Sequence, residues 1–207
     1  MLLKKGAEAV VKSVYFDGRP AVLKERTRKN YRITELDEKL RSQRTRTEAK
    51  ITGEAGRVGI RTAQIYFTDE NNFSIYFQPV EGALLKDAFV NSDTGRIAKL
   101  SLKWGEAVAK LHSAGIIHGD LTTSNALVLG EEIYVLDFGL AFFSKREEDM
   151  AEDINLLRRA VEAVHNEDAK AIWGGFAKGY TENAKSGVIA KAAEVASRGR
   201  YSKRNKA

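Results

Sequence analysis

No cysteine occurs anywhere in the chain. That rules out a disulfide framework and a thiolate metal site alike, and it fits a reducing compartment, so the cytoplasm is the expected location. Only three histidines are present, too few for a histidine-based metal centre. No uncharged apolar run approaches the roughly 18 residues of a membrane-spanning helix, and the opening Met1-Leu2-Leu3-Lys4-Lys5 has no signal-peptide core, so no membrane partner is expected. There is no internal repeat, no low-complexity stretch and no G-x-G-x-x-G phosphate loop.

What is present suffices for a packed core: 43% of the 207 residues are hydrophobic, enough for one domain or two small lobes. The net charge of +6 is unevenly spread. Residues 19–50 hold eleven Lys/Arg against five acids, and residues 195–207 hold five Lys/Arg and no acid. Such blocks are solvated faces or tails unless a polyanion is their partner.

The densest chemical signal runs from Ile117 to Leu140. It holds His118-Gly119-Asp120-Leu121, then Asn125, then Asp137-Phe138-Gly139. Metal-assisted phosphoryl transfer needs a carboxylate to steer the incoming hydroxyl or water and two oxygen-bearing side chains to hold magnesium against the triphosphate. Asp120 fits the first role, Asn125 and Asp137 the second. Leu127–Leu129 and Ile133–Leu136 are β-prone runs separated by Gly130-Glu131-Glu132; as a hairpin they would bring Asn125 and Asp137 to one open end.

Ahead of this stretch, residues 6–16 read as a strand with Gly6 near its start, Asp17-Gly18 as a hairpin turn and Ala21–Lys24 as the returning strand. Lys24 ends Ala-Val-Leu-Lys, the strand position from which a lysine reaches nucleotide phosphates. Thr34–Ala55 reads as a long helix with Leu36, Leu40, Gln43, Thr47 and Ile51 as its stripe; Glu48 on that helix is the expected ion-pair partner of Lys24. Val58–Tyr66 and Asn71–Gln78 read as two more strands, and Gln78-Pro79-Val80-Glu81-Gly82 as a hinge. An adenine held there would use the main chain of Gln78 and Val80, since Pro79 has no donor.

From Leu84 the pattern turns helical. A helix over residues 93–114, capped by Ser92 or Asp93 and closed by Gly115, carries Ile97, Leu100, Trp104, Val108 and Leu111 as a core stripe. Helices over about 147–165, 168–180 and 185–198 close the chain. The expected architecture is therefore α+β and bilobal. Residues 1–80 form a mostly antiparallel N-terminal lobe with one helix, and 81–207 a reduced helical C-terminal lobe carrying the catalytic loop and basic tail.

These residues make the chain resemble a small atypical protein kinase of the Rio-related branch, and most closely the PRPK-like family of kinase/ATPase subunits of the KEOPS tRNA-modification complex. The resemblance spans nearly the whole chain. It is carried by Gly6-Ala7-Glu8-Ala9, Val22-Leu23-Lys24-Glu25-Arg26, Arg46-Thr47-Glu48-Ala49, His118-Gly-Asp-Leu-Thr-Thr-Ser-Asn125, Leu136-Asp-Phe-Gly-Leu-Ala-Phe-Phe-Ser144, Glu147-Glu148-Asp149, Lys178-Gly-Tyr180 and Arg198-Gly-Arg200. It implies a protein-kinase-like fold and an ATP- and Mg2+-dependent Ser/Thr kinase and ATPase. Asp120 would be the catalytic base, Asn125 and Asp137 the metal ligands, Lys24 and Glu48 the phosphate-anchoring pair, and Gly6, Ala7 and Glu8 part of the nucleotide-binding set. It also implies partners: a tRNA threonylcarbamoyltransferase subunit, a small helical activator, and tRNA, for which the tail from Arg198 to Lys206 is the expected contact.

Two departures from ordinary protein kinases matter. Gly119 stands where an arginine would read a phosphorylated activation loop, and no Ala-Pro-Glu follows Asp-Phe-Gly, so a peptide-binding shelf has little chain to form from. Two alternatives stay open: a small-molecule phosphotransferase of the aminoglycoside or choline type, and a nucleotide-binding pseudokinase scaffold.

Overall fold

The computed structural model describes residues 1–184 and 187–204, the stretch 197–204 by its backbone alone. Strands β1 (Leu2–Lys5), β2 (Ala9–Phe16) and β3 (Arg19–Arg26) lead into helix α1 (Thr34–Arg57) and strands β4 (Ile65–Asp69) and β5 (Ser74–Phe77). The five strands form one antiparallel sheet in the order β1-β2-β3-β5-β4. The Asp17-Gly18 turn, both residues at positive φ, sets the β2–β3 register with Phe16 opposite Arg19. β1 was not expected. Its four residues are all exposed and two are lysines, an edge strand blunted by charge, which leaves no apolar alternation to read.

Helix α1 differs from expectation in its face. Asp37, Thr45, Glu48, Ile51, Thr52 and Ala55 are buried, whereas Leu36 and Gln43 are exposed, so the inward stripe is rotated from the Leu36–Leu40–Gln43–Thr47 line and shares with it only Ile51. The helix lies against charged residues of β3, so its buried stripe is largely polar and an apolar count misplaces it. Nor does a strand begin at Val58. The helix runs to Arg57, Gly59 at φ 81° turns the chain, and residues 60–64 belong to no regular element, with the Arg61 carbonyl accepting from Val135 N–H and the Gln64 carbonyl from Gln78 N–H.

Beyond residues 78–82, β6 (Ala83–Leu84) precedes α2 (Leu85–Val90) and α3 (Thr94–Ser113). Asp93 caps α3 by accepting from the Arg96 N–H, and the expected stripe Ile97, Leu100, Trp104, Val108 and Leu111 is buried. β7 (Ile116–Ile117) leads to the 3-10 turn Thr123–Asn125 and the hairpin β8 (Ala126–Leu129) and β9 (Glu132–Val135). β10 (Phe142–Phe143) then pairs with β7. Helices α4 (Glu147–Val164), α5 (Ala169–Asn183) and α6 (Val188–Arg204) complete the chain. α6 runs past the expected end at Arg198, and the side chains of the basic tail lie outside the described residues.

Two clusters hold the structure together. The larger packs α2, α3, α4, α5 and α6 around Trp104, Phe89, Phe176 and Tyr180. The smaller joins Ile51 and Ala55 of α1 to Leu111, Ile116, Val135, Phe138 and Ala141. Phe138 thereby ties the sheet-side helix to the loop that carries Asp137. No described helix is long and apolar enough to cross a membrane.

Candidate active site

The hairpin assembles one side of the site as its spacing suggests. Ala126 pairs with Val135, and the Leu136 N–H donates to the Asn125 carbonyl at 2.9 Å, so Asn125 and Asp137 leave the same end of the β8–β9 ladder. The Asn125 amide nitrogen donates to both the backbone carbonyl and Oδ2 of Asp120, each at 2.9 Å. This fixes the Asp120 carboxylate. It also leaves the Asn125 amide oxygen as that side chain's free ligand atom.

The sheet supplies the other side. Lys24 Nζ donates to Glu48 Oε1 at 2.7 Å and lies 2.6 Å from Asp137 Oδ1. Glu48 is only 2% exposed, and its second oxygen is held by Arg26. Asp137 adopts φ 63°, a left-handed conformation uncommon for a non-glycine residue and of the kind that gathers at working sites. Burial pushes its carboxyl pKa up, but the Lys24 ammonium, with Arg26 and His118 behind it, holds it below the ordinary aspartate value. Asp137 is therefore a ready anion.

Lys24, Glu48, Asn125 and Asp137 line a cleft of about 460 Å³ between the sheet and the hairpin. Its apolar wall includes Leu3, Val11, Val22, Phe77, Leu127 and Val135, and Gln78 and Val80 close the hinge end. Apolar walls with charge at one end suit a purine carrying phosphates. A larger cavity of about 910 Å³ lies on the other face of the hinge, lined by Arg61, Lys103, Lys110, Glu106 and Glu132 among others. It contains none of the four convergent residues, so size is a poor guide here. Among the described residues no group of three or more His, Cys, Asp or Glu side chains could hold a metal by itself. Two oxygen donors, the Asp137 carboxylate and the Asn125 amide oxygen, suit a hard divalent cation.

Two parts of the expected nucleotide-binding set have a particular placement. Gly6, Ala7 and Glu8 do not line the cleft; Leu3 and Lys4 of β1 do. Gly6, Ala7 and Glu8 form the β1–β2 turn, and the Glu8 carboxylate is taken by Arg32 at 2.9 Å and Arg44 at 3.0 Å. At the hinge, the Gln78 N–H is committed to the Gln64 carbonyl at 2.7 Å, so only its carbonyl and side chain are left to offer a ligand.

Sequence reasoning missed the residue that holds the loop around Asp120. Asp153, buried on α4, accepts from the His118 N–H through Oδ2 and from the Gly119 N–H through Oδ1, both at 2.9 Å. Its Oδ2 also lies 3.2 Å from His112 Nε2, and His112 Nδ1 is 2.8 Å from the Tyr180 hydroxyl. The available signal was an acid beside Ala151, Ile154 and Leu157, on the buried face of α4. His118 itself is buried. It accepts the Asp120 N–H at Nδ1 and contacts the Leu136 carbonyl through Nε2, so it builds the loop and does not face a substrate. Gly119 sits at φ 76°, and a β-carbon there would run into the Leu140 carbonyl, so no side chain at all is accommodated where an arginine was missing. Residues 140–146, pinned by the β7–β10 pair, are all that separate Gly139 from α4.

The arrangement is that of a protein kinase. Residues 4–167 match the family model described as "Protein kinase domain". The structure of Rio2 kinase from Chaetomium thermophilum, solved with ADP, Mg2+ and phosphoaspartate, superposes over 100% of this chain and 71% of that one, with TM-score 0.65 and 16% identity. The amicoumacin kinase hAmiN has the same TM-score at 14% identity, covering 90% of this chain and 73% of that chain. Both likenesses show the fold.

At closer range, the chain is 36% identical over 214 residues to the "KEOPS complex subunit Bud32" of Pyrococcus abyssi, covering 99% of this chain and 97% of that protein. It belongs to the Bud32 family of protein kinases. A "Probable bifunctional tRNA threonylcarbamoyladenosine biosynthesis protein" of Methanothermobacter thermautotrophicus is 38% identical over 200 residues, covering 97% of this chain. This chain spans only 36% of the length of that relative.

Proposed function

We propose that the chain is a magnesium-dependent ATPase and serine/threonine kinase that works in the KEOPS complex to support threonylcarbamoyladenosine modification of tRNA. The observation that carries this reading is the convergence of Lys24, Glu48, Asn125 and Asp137 on one cleft, with Asp120 oriented beside it by Asn125. The names of its relatives supply the setting.

In this reading residues 1–80 form the lobe that covers the nucleotide, and 81–207 the lobe that carries the catalytic loop and tail. Lys24, aimed by Glu48, holds phosphate oxygens. The Gln78 carbonyl and Val80 main chain hold the adenine edge, and the Gly6-Ala7-Glu8 turn closes over the phosphates with its backbone, since the Glu8 carboxylate is engaged elsewhere. Asp137, held by Lys24 in this structure, and the Asn125 oxygen would hold the metal. Magnesium bound there would neutralise charge on the phosphates. Asp120 accepts the proton of the incoming hydroxyl, or orients water when the reaction is hydrolysis.

The partners in this reading are a tRNA threonylcarbamoyltransferase subunit, a small helical activator and tRNA, the last through the cations between Arg198 and Lys206. The likeness to amicoumacin kinase concerns the fold and brings no small-molecule substrate with it. ADP release should be measured with and without the transferase subunit and tRNA. Turnover that rises with both, and vanishes in Asp137→Ala, is the expected result; turnover that persists in Asp137→Ala sinks the reading.

A further inference from the structure

Arg26 is a buried cation with no part in the chemistry above. It lies two residues beyond Lys24 on β3, so both side chains leave the same face of the strand. It is 6% exposed. Its Nη2 donates to Glu48 Oε2 and to the Arg44 carbonyl of α1 at 3.3 Å. The guanidinium also lies against the Asp-Phe-Gly segment: a β-carbon on Gly139 would stand 2.5 Å from the same nitrogen. One side chain thus touches the strand-side helix at two points and the metal-ligand loop at a third.

The division of the Glu48 oxygens gives this contact a purpose. Lys24 takes Oε1 and, with the same ammonium, Asp137. Phosphate oxygens arriving in the cleft would compete for that ammonium. A carboxylate as buried as Glu48 cannot lose a sole counter-charge cheaply, because an uncompensated charge would be left in the interior. With Lys24 alone, either the lysine would stay on Glu48 or α1 would swing out with it. Arg26 removes that conflict, because Glu48 keeps a full charge partner and α1 keeps its tie through the Arg44 carbonyl.

We propose that Arg26 is the positioning residue that locks α1 and the Asp-Phe-Gly loop in their working places, so that Lys24 can be given over to nucleotide phosphates without α1 moving. The site is then pre-set. Swinging the glutamate-bearing helix is not available as an off switch. The part of the proposal that concerns nucleotide rests on the reading of Lys24 given above; the part that concerns α1 does not.

Hydrogen exchange of the nucleotide-free full chain tests the lock. Peptides from residues 45–55 should be as protected in Lys24→Met as in the wild type. In Arg26→Met they should exchange at least about tenfold faster, with Arg26→Lys intermediate because it keeps the charge but lacks the fork. Peptides from α3 and α5 should be unchanged in all four proteins, which separates loss of the lock from unfolding. If Lys24→Met opens α1 as much as Arg26→Met does, or Arg26→Met leaves it protected, the proposal is overturned.

Calorimetric binding of a non-hydrolysable ATP analogue with magnesium supplies the second arm. Lys24→Met should weaken affinity by about tenfold or more in the wild-type background, but by less than about threefold when Arg26 is methionine, where Lys24 is already drawn onto Glu48. Equal losses in the two backgrounds would also overturn it. Should Lys24→Met leave wild-type affinity unchanged, the phosphate role of Lys24 falls, and exchange at α1 alone decides the role of Arg26.

Discussion

Two carboxylates, Asp137 and Asp153, flank the loop that carries Asp120 and are treated in opposite ways. Both are pushed up by burial and pulled below the ordinary aspartate value by their neighbours. For Asp137 the pull comes from side-chain cations, Lys24 first, and its side chain is still 41% exposed to the cleft. For Asp153 it comes from His112, His118 and backbone N–H groups, and its side chain is sealed from solvent. A carboxylate held by an ammonium can exchange that partner for a metal. One held by backbone amides and buried rings cannot, and serves instead to fix the chain that carries Asp120.

The largest effect should come from breaking the exchangeable side. Asp137→Ala should abolish turnover, whereas Asp120→Ala should leave ATP affinity nearly intact and lower kcat by about 10²–10⁴-fold, since the base acts only as the nucleophile engages. Nucleotide titration beside ADP release separates the two, and equal loss of affinity in both variants would contradict this division of labour.

The fixed side should fail through stability. Asp153→Ala leaves two buried backbone N–H groups and His112 without their acceptor, which should cost about 2–5 kcal/mol. Chemical denaturation measures the loss. Gly119→Ala should cost about 1–3 kcal/mol, from its left-handed backbone and the Leu140 carbonyl together, and should lower kcat more than ATP affinity.

Titration sharpens the contrast at smaller amplitude. A depressed folded-state pKa means that Asp137 and Asp153 contribute stability above the unfolded aspartate value, about 3.9, and lose it as pH falls through their folded values. Asp153→Asn should therefore show a shallower fall in Tm below about pH 4 than the wild type does. If the two acid limbs superimpose, Asp153 is not held as described.

His165, by the Thr123 hydroxyl, gives the smallest effect. Burial lowers its pKa against the opposing pull of Asp168 and Asp87. The unfolded chain then binds the proton first, so stability should decline slightly as pH falls through about 6.5 and level off below the folded value. His165→Asn should flatten that segment of the Tm profile.

Much of the site was legible because its information is local. The spacing from Asp120 through Asn125 to Asp137 is the geometry of one loop and one two-strand ladder, and turn chemistry at Gly130 specifies the register that brings its ends together. The α3 stripe was legible for a similar reason, since a helix that packs on apolar neighbours advertises its face in periodicity.

The buried face of α1 was hidden because it packs on charge. Asp37, Thr45 and Glu48 look like surface residues until tertiary partners are known: β3 brings Lys24 and Arg26 against Glu48, and Lys29, Arg32 and Arg41 surround the Asp37 carboxylate. The same blindness covers Asp153, whose partners His112, His118 and Gly119 are 34 to 41 residues away in the chain. By itself, then, the sequence determined the motifs that meet at the cleft, the β-to-helix change near Pro79 and the bilobal class, because strand alternation, helical period and turn residues act over a few positions. The tertiary structure alone decided which polar side chains are buried and with whom, because a charge enters a protein interior only where another part of the chain delivers its partner.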